Sequence, residues 1–382
     1  MKLFYLPHNS ATPSVNRQLT FDVAKGVAVL LMIMIHVLDF YGLDEVRFST
    51  FGMAIKFAIG WPAASMFVFI MGVFVGSSTS STPHEEIKRA LSLFVLGYLL
   101  NLVRGTIPMW LSLKLGLVTY QDVAPHTPLS ELLIGDVLQF AGISLLICSS
   151  LKHATNKICI WLGAATAIAF LSHSVWDKYT SLTIFDELLK LFVGNEEVGA
   201  IFPIFPWAAY PIAGMAFGRF LKRKNDCDAI NFTYCLKLGA VCTTLGVLLT
   251  LSNPDYHIVT NLRSGPGVVL LMNGIVMLFI FAIHLFVARL KATYVVSLFA
   301  FWGKNVTAIY VLQWICIGWG LMLVGLQQLS MLSTLAAMLI VLLISHYLVL
   351  PWYNYKNRTI SATPEPCSSR KETRVKLESA TQ

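Results

Sequence analysis

The feature that most constrains this chain is a series of long apolar runs. A helix that crosses a bilayer needs roughly 20 mostly apolar residues. Only helices and closed barrels satisfy every backbone polar group inside a bilayer, and these runs lack the two-residue alternation of barrel strands. The sequence therefore predicts an all-α, polytopic integral membrane helix bundle of about ten transmembrane helices, at approximately 21–40, 52–78, 88–104, 132–151, 157–175, 200–221, 235–252, 267–287, 303–325 and 331–350.

The composition agrees with this fold class. Hydrophobic residues make up 56% of the 382 residues, charged residues make up only 13%, and the mean hydropathy is +0.68. Soluble proteins usually carry about 25% charged residues. Residues 1–20 and 356–382 are mostly polar. We therefore expect a transmembrane domain at 21–355, preceded by a short cytoplasmic segment at 1–20 and followed by a disordered cytoplasmic tail at 356–382.

The basic residues predict the orientation of the bundle. Ten spans place both termini on one side, and cytoplasmic loops carry the excess of Lys and Arg in membrane proteins. Of the 28 Lys and Arg residues, 20 fall on the side of the termini and 7 on the other side. Both termini should therefore be cytoplasmic, in a bacterial inner membrane. Because the net charge of +8 follows topology rather than one surface, nucleic acid is not an expected partner.

The first span carries four ionisable residues, which are Asp22, Lys25, His36 and Asp39. At about 100° per residue they fall on one stripe of the helix. Side chains three positions apart can meet on a helix, so Asp39 is predicted to hold one ring nitrogen of His36 and leave the other as a general base. The alternative is a histidine at the membrane interface beside an aspartate that reaches toward water.

Further polar residues interrupt the later spans. Each one alone is typical of hydrogen bonding between helices, but together they indicate a hydrated cavity with groups for binding substrate or stabilising an oxyanion. The run FPIFPWAAYPIAGMAFGRF at 202–220 contains three prolines and predicts a broken or kinked helix. The candidate polar residues are Asn101, Arg104, Asp136, Gln139, Asn305, Tyr310 and Gln313.

Several motifs resemble those of the membrane acyltransferases of the acyltransferase 3 superfamily. The stretch FDVAKGVAVLLMIMIH contains an Asp, a basic–Gly pair and a His eleven residues after the basic residue. It is followed by WPAASMFVFIMGVFVGSS, GDVLQFAGISLL, FPIFPWAAYPIAGMAFGR and WGKNVTAIYVLQ. In this order, over about residues 17–325, the chain is similar to the heparan-alpha-glucosaminide N-acetyltransferase-like branch.

This resemblance implies an enzyme that moves an acyl group, most simply acetyl, from cytoplasmic acyl-CoA to a hydroxyl or amine of an extracytoplasmic sugar or glycan. His36 would act as the general base or as a transient acyl carrier. Lys25, Arg219 and Lys222 would contact the phosphates of CoA, and Trp207 would shape the tunnel. A homodimer is also consistent with the resemblance.

Two positions depart from the family pattern. Lys25 stands where the family usually has Arg, and lysine binds phosphate without the bidentate fork of arginine. Gln313 stands where the family often has His, and an amide cannot titrate. No metal is expected, because the seven cysteines have no metal-ligand spacing.

Two other functions stay open from sequence alone. A transporter or exporter of a small polar or lipid-linked molecule would need the same polar stripe but no acyl-CoA. The Lys25–His36 spacing favours the enzyme, and the lack of an inverted repeat argues against a transporter. A catalytically inactive relative that serves as a scaffold is the third possibility, because of Gln313.

Overall fold

The computed structural model describes residues 13–362 except 57–60, 79–80, 177, 179, 181–182, 195–198, 225–227, 260–262 and 291–292. Within this described part the chain forms helices and three isolated bridges, with no strand. The helices are α1 (Pro13–Tyr41), α2 (Asp44–Arg47), α3 (Thr50–Ile55), α4 (Trp61–Ser77), α5 (Pro83–Asn101), a π-helix (Leu102–Thr106), α6 (Ile107–Lys114), α7 (Tyr120–Val123), α8 (Pro128–Leu133), α9 (Val137–Ala154), α10 (Ile158–Val175), α11 (Thr183–Val193), α12 (Ile204–Trp207), α13 (Ala209–Lys224), α14 (Asp228–Ser252), α15 (Pro254–His257), α16 (Pro266–Arg289), α17 (Tyr294–Lys304), α18 (Val306–Val324) and α19 (Met331–Ala362).

Membrane-spanning helices dominate this architecture, which confirms the predicted fold class. Another apolar helix, Pro62–Ser77, is shorter than the full spans. The predicted span 52–78 is divided between α3 and α4, and the predicted span 200–221 is divided between α12 and α13. In the described part of the chain, eight segments are long and apolar enough to cross a membrane: Leu19–Tyr41, Pro83–Lys114, Val137–Ala154, Ile158–Val175, Phe232–Ser252, Pro266–Arg289, Val306–Val324 and Met331–Pro351.

The proline-rich run at 202–220 is broken, as the sequence predicts. Helix α12 ends at Trp207 and α13 begins at Ala209. Phe205 has a non-helical backbone, with φ −95° and ψ 115°. The residue that precedes a proline is pushed toward the extended region, and Pro206 follows directly. The kink at Phe205, inside α12, therefore has a local cause in the sequence.

Helix α1 is the central element of the bundle, because it packs against α4, α14, α16, α17, α18 and α19. Two glycines bring α1 and α17 into close contact. A Cβ atom on Gly26 would lie 1.9 Å from the carbonyl oxygen of Phe299, and one on Gly303 would lie 1.8 Å from that of Asp22. Small residues allow such close backbone approach in membranes. The first half of α1, with Asp22 and Lys25, is thereby packed closely against α17.

Helices α4 and α13 cross equally closely, through two Gly-x-x-x-Gly pairs. Gly72 and Gly76 lie on α4, and Gly214 and Gly218 lie on α13. A Cβ atom on any of the four would come within 2.2 Å of a carbonyl oxygen of the facing helix. Small residues at this spacing let membrane helices pack closely, and here they join two helices of one chain.

The helices at both ends of the described region extend beyond the predicted domain boundaries. Helix α1 begins at Pro13, inside the segment predicted at 1–20, and α19 continues to Ala362, inside the tail predicted at 356–382. Helix propagation adds a hydrogen bond for each further residue, so a helix can outlast the apolar run that anchors it. Residues 1–12 and 363–382 lie outside the described residues.

Candidate active site

His36 lies in the second half of α1, and its imidazole contacts two residues of α18. The ring stacks on the indole of Trp314, with the centroids 4.2 Å apart and the planes tilted by 33°. Its Nδ1 atom lies 3.5 Å from the side-chain amide of Gln313. His36 is half-buried, whereas Gln313 and Trp314 are buried. The imidazole therefore faces the interior of the bundle and is not sealed off.

A buried ion pair lies next to Trp314. The Nη2 atom of Arg104 is 2.7 Å from Oδ2 of Asp136, and its guanidinium carbon lies 4.0 Å from the ring centroid of Trp314. The two charged side chains are only 9% and 6% exposed. Ionisable groups within a span face the bundle interior, pair with one another and often mark functional sites. Trp314 thus joins the ion pair to His36.

Neutral side chains complete the surroundings of the ion pair. The hydroxyl of Tyr310 donates to Oδ2 of Asp136 at 3.0 Å, and Arg104 donates to Oδ1 of Asn101 at 3.1 Å. Asp136 caps the N-terminus of α9, and its backbone N–H donates to Oε1 of Gln139 at 3.2 Å. Six of the seven polar candidates therefore meet in one group beside His36; they are Asn101, Arg104, Asp136, Gln139, Tyr310 and Gln313.

Local backbone features bring this group together. Arg104 lies in the π-helix Leu102–Thr106, a conformation that is frequent at functional sites. A Cβ atom on Gly318 would lie 1.9 Å from the carbonyl oxygen of Arg104, so the glycine lets α18 approach this turn. A Cβ atom on Gly97 would lie 2.6 Å from Oε1 of Gln139, so this glycine makes room for the amide. Both glycines serve the packing of the site.

Two buried polar atoms of this group have no hydrogen-bond partner among the described residues. They are Nη1 of Arg104 and Oε1 of Gln313, and the indole Nε1 of the neighbouring Trp314 has no partner in that part of the chain either. Buried polar atoms are nearly always paired, and exceptions call for an explanation. One of these atoms is a charged donor and the other is an acceptor. Both atoms lie in the part of the bundle next to His36.

The structure gives Asp39 other partners than the one predicted. Its Oδ1 atom lies 3.3 Å from Nζ of Lys56 and 3.9 Å from Nε of Arg47. No hydrogen bond joins Asp39 to His36, although both are described residues. Two nearby cations attract the carboxylate, and its side chain is 37% exposed. The ring of His36 is instead contacted by Gln313.

The residues predicted to contact CoA phosphates lie apart from this group. Lys25 forms an ion pair of 2.8 Å with the carboxylate three residues before it. Arg219 donates to the side chain of Asn156 at 3.1 Å, and Lys222 donates to the carbonyl oxygen of Ser77 at 3.0 Å.

Within the described ranges, no group of three or more His, Cys, Asp or Glu could hold a metal ion.

Trp207 and Asn305 also lie outside the group around His36. Trp207 is buried and packs edge-to-face on Phe202, with ring centroids 4.6 Å apart. It lies just before α13, whereas Lys222 lies in the last turn of that helix, about 20 Å from its start, so the two do not form one compact site. The amide of Asn305 donates to the carbonyl oxygen of Phe301 at 2.9 Å, at the junction of α17 and α18.

Trp314 is a site residue that is absent from the sequence-based prediction. A signal was present, because Tyr310, Gln313 and Trp314 are spaced by three and four residues and share one face of α18. A tryptophan in an apolar span predicts a packing role, so the sequence alone did not indicate Trp314 as a site residue. Only the structure shows that it contacts both His36 and Arg104.

The fold and the site define a polytopic helical membrane protein whose described part holds an imidazole, an indole and a buried Arg–Asp pair in one group. The profile of the family described as heparan-alpha-glucosaminide N-acetyltransferase, catalytic, matches residues 17–247. This chain belongs to that family, which indicates a membrane acetyltransferase. The match includes His36, Arg104 and Asp136 and ends before α18. No curated protein matches the chain.

Proposed function

We propose that the protein transfers an acetyl group from acetyl-CoA to an amine or hydroxyl of a sugar or glycan acceptor, with His36 as the general base. Membership of the acetyltransferase family supports the class of reaction. The observation that carries the role of His36 is its contact with Trp314 and Gln313, next to the buried Arg104–Asp136 pair.

The proposed reaction follows from the groups at hand. The acceptor nitrogen or oxygen attacks the thioester carbon and loses its proton to the imidazole of His36. The carbonyl oxygen gains negative charge, which the unpartnered Nη1 of Arg104 stabilises. The C–S bond then breaks, and the CoA thiolate takes the proton back from His36. The products are the acetylated acceptor and free CoA.

The length of α1 supports a donor that lies along this helix. Lys25 and His36 are eleven residues apart, which is about 16 Å in a helix. The phosphates of the donor would lie near Lys25, with Arg219 and Lys222 as further basic contacts, and the thioester would reach His36. The acceptor would then approach from the Asp39 end of α1.

The test uses the full chain, purified into lipid nanodiscs and incubated with acetyl-labelled acetyl-CoA and a panel of amino sugars and neutral sugars. His36→Ala should lower transfer at least about hundredfold, since general bases contribute about 10²–10⁴. The matched control is His84→Ala, because His84 is exposed at the start of α5. It should retain the activity of the unchanged protein.

Other outcomes would overturn or refine the proposal. Transfer that survives in His36→Ala would remove His36 from the reaction. An acid-quenched label that remains on the protein and depends on His36 would identify an acyl-histidine intermediate instead of direct transfer. If acetyl-CoA neither binds nor reacts, while a sugar solute alone raises the melting temperature, a transporter would be the better explanation.

A further inference from the structure

The orientation of an imidazole decides whether it can act as a base. A neutral histidine carries one N–H group, and its other ring nitrogen holds the lone pair that accepts a proton. In carboxylate-oriented histidines, a negative group accepts from Nδ1–H and leaves Nε2 free. Asp39 does not provide this contact, because it pairs with Lys56 and Arg47.

The structure assigns this task to α18: we propose that Gln313 and Trp314 are the positioning residues of His36, and this inference rests on the proposed function. Trp314 fixes the plane of the imidazole by stacking on it at 4.2 Å. The amide oxygen of Gln313 accepts from Nδ1–H, and Nε2 becomes the atom that takes the proton of the acceptor.

The free amide oxygen is what supports this assignment. Oε1 of Gln313 is buried and unpartnered among the described residues, while Nε2 of the same amide lies 3.5 Å from Nδ1 of His36. When the amide nitrogen of Gln313 donates to Nδ1 of His36, the single ring proton of the neutral imidazole is on Nε2 of His36. In this state Nε2 of His36 has no lone pair that could accept a proton from the acceptor. A half-turn of the amide exchanges the two atoms without changing the shape of the side chain. This half-turn brings Oε1 of Gln313 to Nδ1 of His36. The ring proton is then on Nδ1, and Nε2 of His36 is free to accept a proton.

Trp314 is itself held in place by the rest of the group. The guanidinium of Arg104 lies 4.0 Å from its ring centroid, and Phe40 meets it edge-on at 5.4 Å. Arg104 is fixed in turn by Asp136 at 2.7 Å. The ion pair therefore acts on His36 through Trp314, which explains why so many buried polar groups surround a single half-buried histidine.

The test compares two nearly isosteric changes of Gln313 in the nanodisc assay. Gln313→Met removes the acceptor and should lower kcat at least about tenfold, a part of the general-base contribution, with an unchanged KM for acetyl-CoA. Gln313→Glu keeps an acceptor and should retain kcat. It should also move the acid limb of the pH–rate profile to higher pH, because a carboxylate stabilises the imidazolium.

The charged groups near His36 keep this pH readout interpretable. Arg104, which contacts Trp314, is paired with Asp136 at 2.7 Å, while Asp39 lies on the same helix as His36 and is paired with Lys56. The matched control is Gln328→Glu, since Gln328 is exposed; it should not move the profile. A histidine nitrogen NMR spectrum, assigned by comparison with His36→Ala, should show a change of the tautomer of His36 in Gln313→Met.

Trp314 is tested in the same way. Trp314→Phe keeps a stacking ring and should retain most of kcat, whereas Trp314→Leu should lower kcat with little change in KM. Melting temperatures separate this effect from loss of the fold. If His36→Ala is inactive but Gln313→Met and Trp314→Leu are fully active with an unchanged pH profile, this inference fails and the proposed function stands. If His36→Ala is active, the proposed function itself fails.

Discussion

The free-energy cost of burying charge in a membrane explains how the ionisable residues of this protein are paired. An unpaired charge at the centre of a span costs about 2.5–3.5 kcal/mol on insertion scales. Arg104 and Asp136 avoid that cost by pairing at 2.7 Å, and Asp39 pairs with Lys56 at 3.3 Å nearer the end of α1. Asp39 and Asp136 are therefore each paired with a cation, and His36 contacts the neutral side chains of Gln313 and Trp314.

This pairing makes a prediction for Asp39. Asp39→Asn weakens the contacts with Lys56 and Arg47 but leaves those of His36 in place. We expect kcat to change by less than about threefold, in contrast to the loss of at least about tenfold expected for Gln313→Met. The nanodisc assay measures both variants side by side. An equally large loss of kcat in Asp39→Asn would support the sequence-based prediction that Asp39 orients the ring of His36.

The same pair of residues shows what the sequence could predict of the site. The polar candidates could be found one by one, because each interrupts an apolar span. Their meeting could not be predicted, since it depends on the π-turn at Arg104 and on the room left by Gly318. The i, i+3 spacing permits contact between His36 and Asp39, but it does not reveal that two cations compete for the carboxylate.

At the scale of helices, close approach rather than apolar area decides which elements pair. Lipid is as apolar as the helices themselves, so packing and small residues drive their association. The pairs α1–α17 and α4–α13 both depend on glycines whose Cβ positions are occupied by the backbone of the facing helix. The sequence predicted most spans from hydropathy, but not these pairings, because spacing alone does not say which helix a glycine faces.

Gly72→Ala tests the crossing of α4 and α13. The new Cβ atom would lie 1.9 Å from the carbonyl oxygen of Pro211, which belongs to the backbone and cannot move alone. Overpacking of this kind costs typically about 1–3 kcal/mol, so the melting temperature in detergent should fall. Gly163→Ala is the matched control, because nothing lies within 4 Å of its Cβ position. An equal melting temperature for the two variants would rule out a close contact at Gly72.

The short helix α15, outside the spans, should respond to pH. Nδ1 of His257 accepts from the backbone N–H of Gly267 at 3.1 Å, at the start of α16. Burial, with a smaller contribution from the charge of His173, lowers the pKa of His257 from its ordinary value of 6.5. Between the lowered and the ordinary pKa the unfolded segment binds more protons, so local stability rises with pH there. The contribution of His257 to local stability is therefore at its full value above about pH 6.5 and decreases as the pH falls below that value.

Hydrogen exchange of the Gly267 amide measures this effect. Relative to a spanning helix such as α9, and after correction for intrinsic rates, exchange at Gly267 should speed up when the pH falls from 7.5 to about 5.5. The variant His257→Gln keeps a hydrogen-bond acceptor and cannot titrate. It should lose most of this dependence. Identical pH profiles for the two proteins would show that His257 does not control the opening of α15.

For the whole molecule, orientation links the fold to the reaction. The donor is proposed to lie between Lys25 and His36, so the Lys25 end of α1 must face the compartment that holds acetyl-CoA. The excess of basic residues predicts that this end is cytoplasmic. The acceptor would then enter from the Asp39 end. The direction of α1 therefore decides on which side of the membrane a glycan could be acetylated.

Cysteine labelling tests that direction in intact cells. His84 is exposed at the start of the span Pro83–Lys114, and Tyr120 is exposed beyond its other end. In a background without the seven natural cysteines, a membrane-impermeant maleimide should label Tyr120→Cys before permeabilisation and His84→Cys only afterwards. This result requires the N-terminus of that span to be cytoplasmic, as the distribution of Lys and Arg predicts. Labelling of His84→Cys alone in intact cells would show that the bundle has the opposite orientation. The Lys25 end of α1 would then face away from the cytoplasm, which contradicts the proposed path of acetyl-CoA.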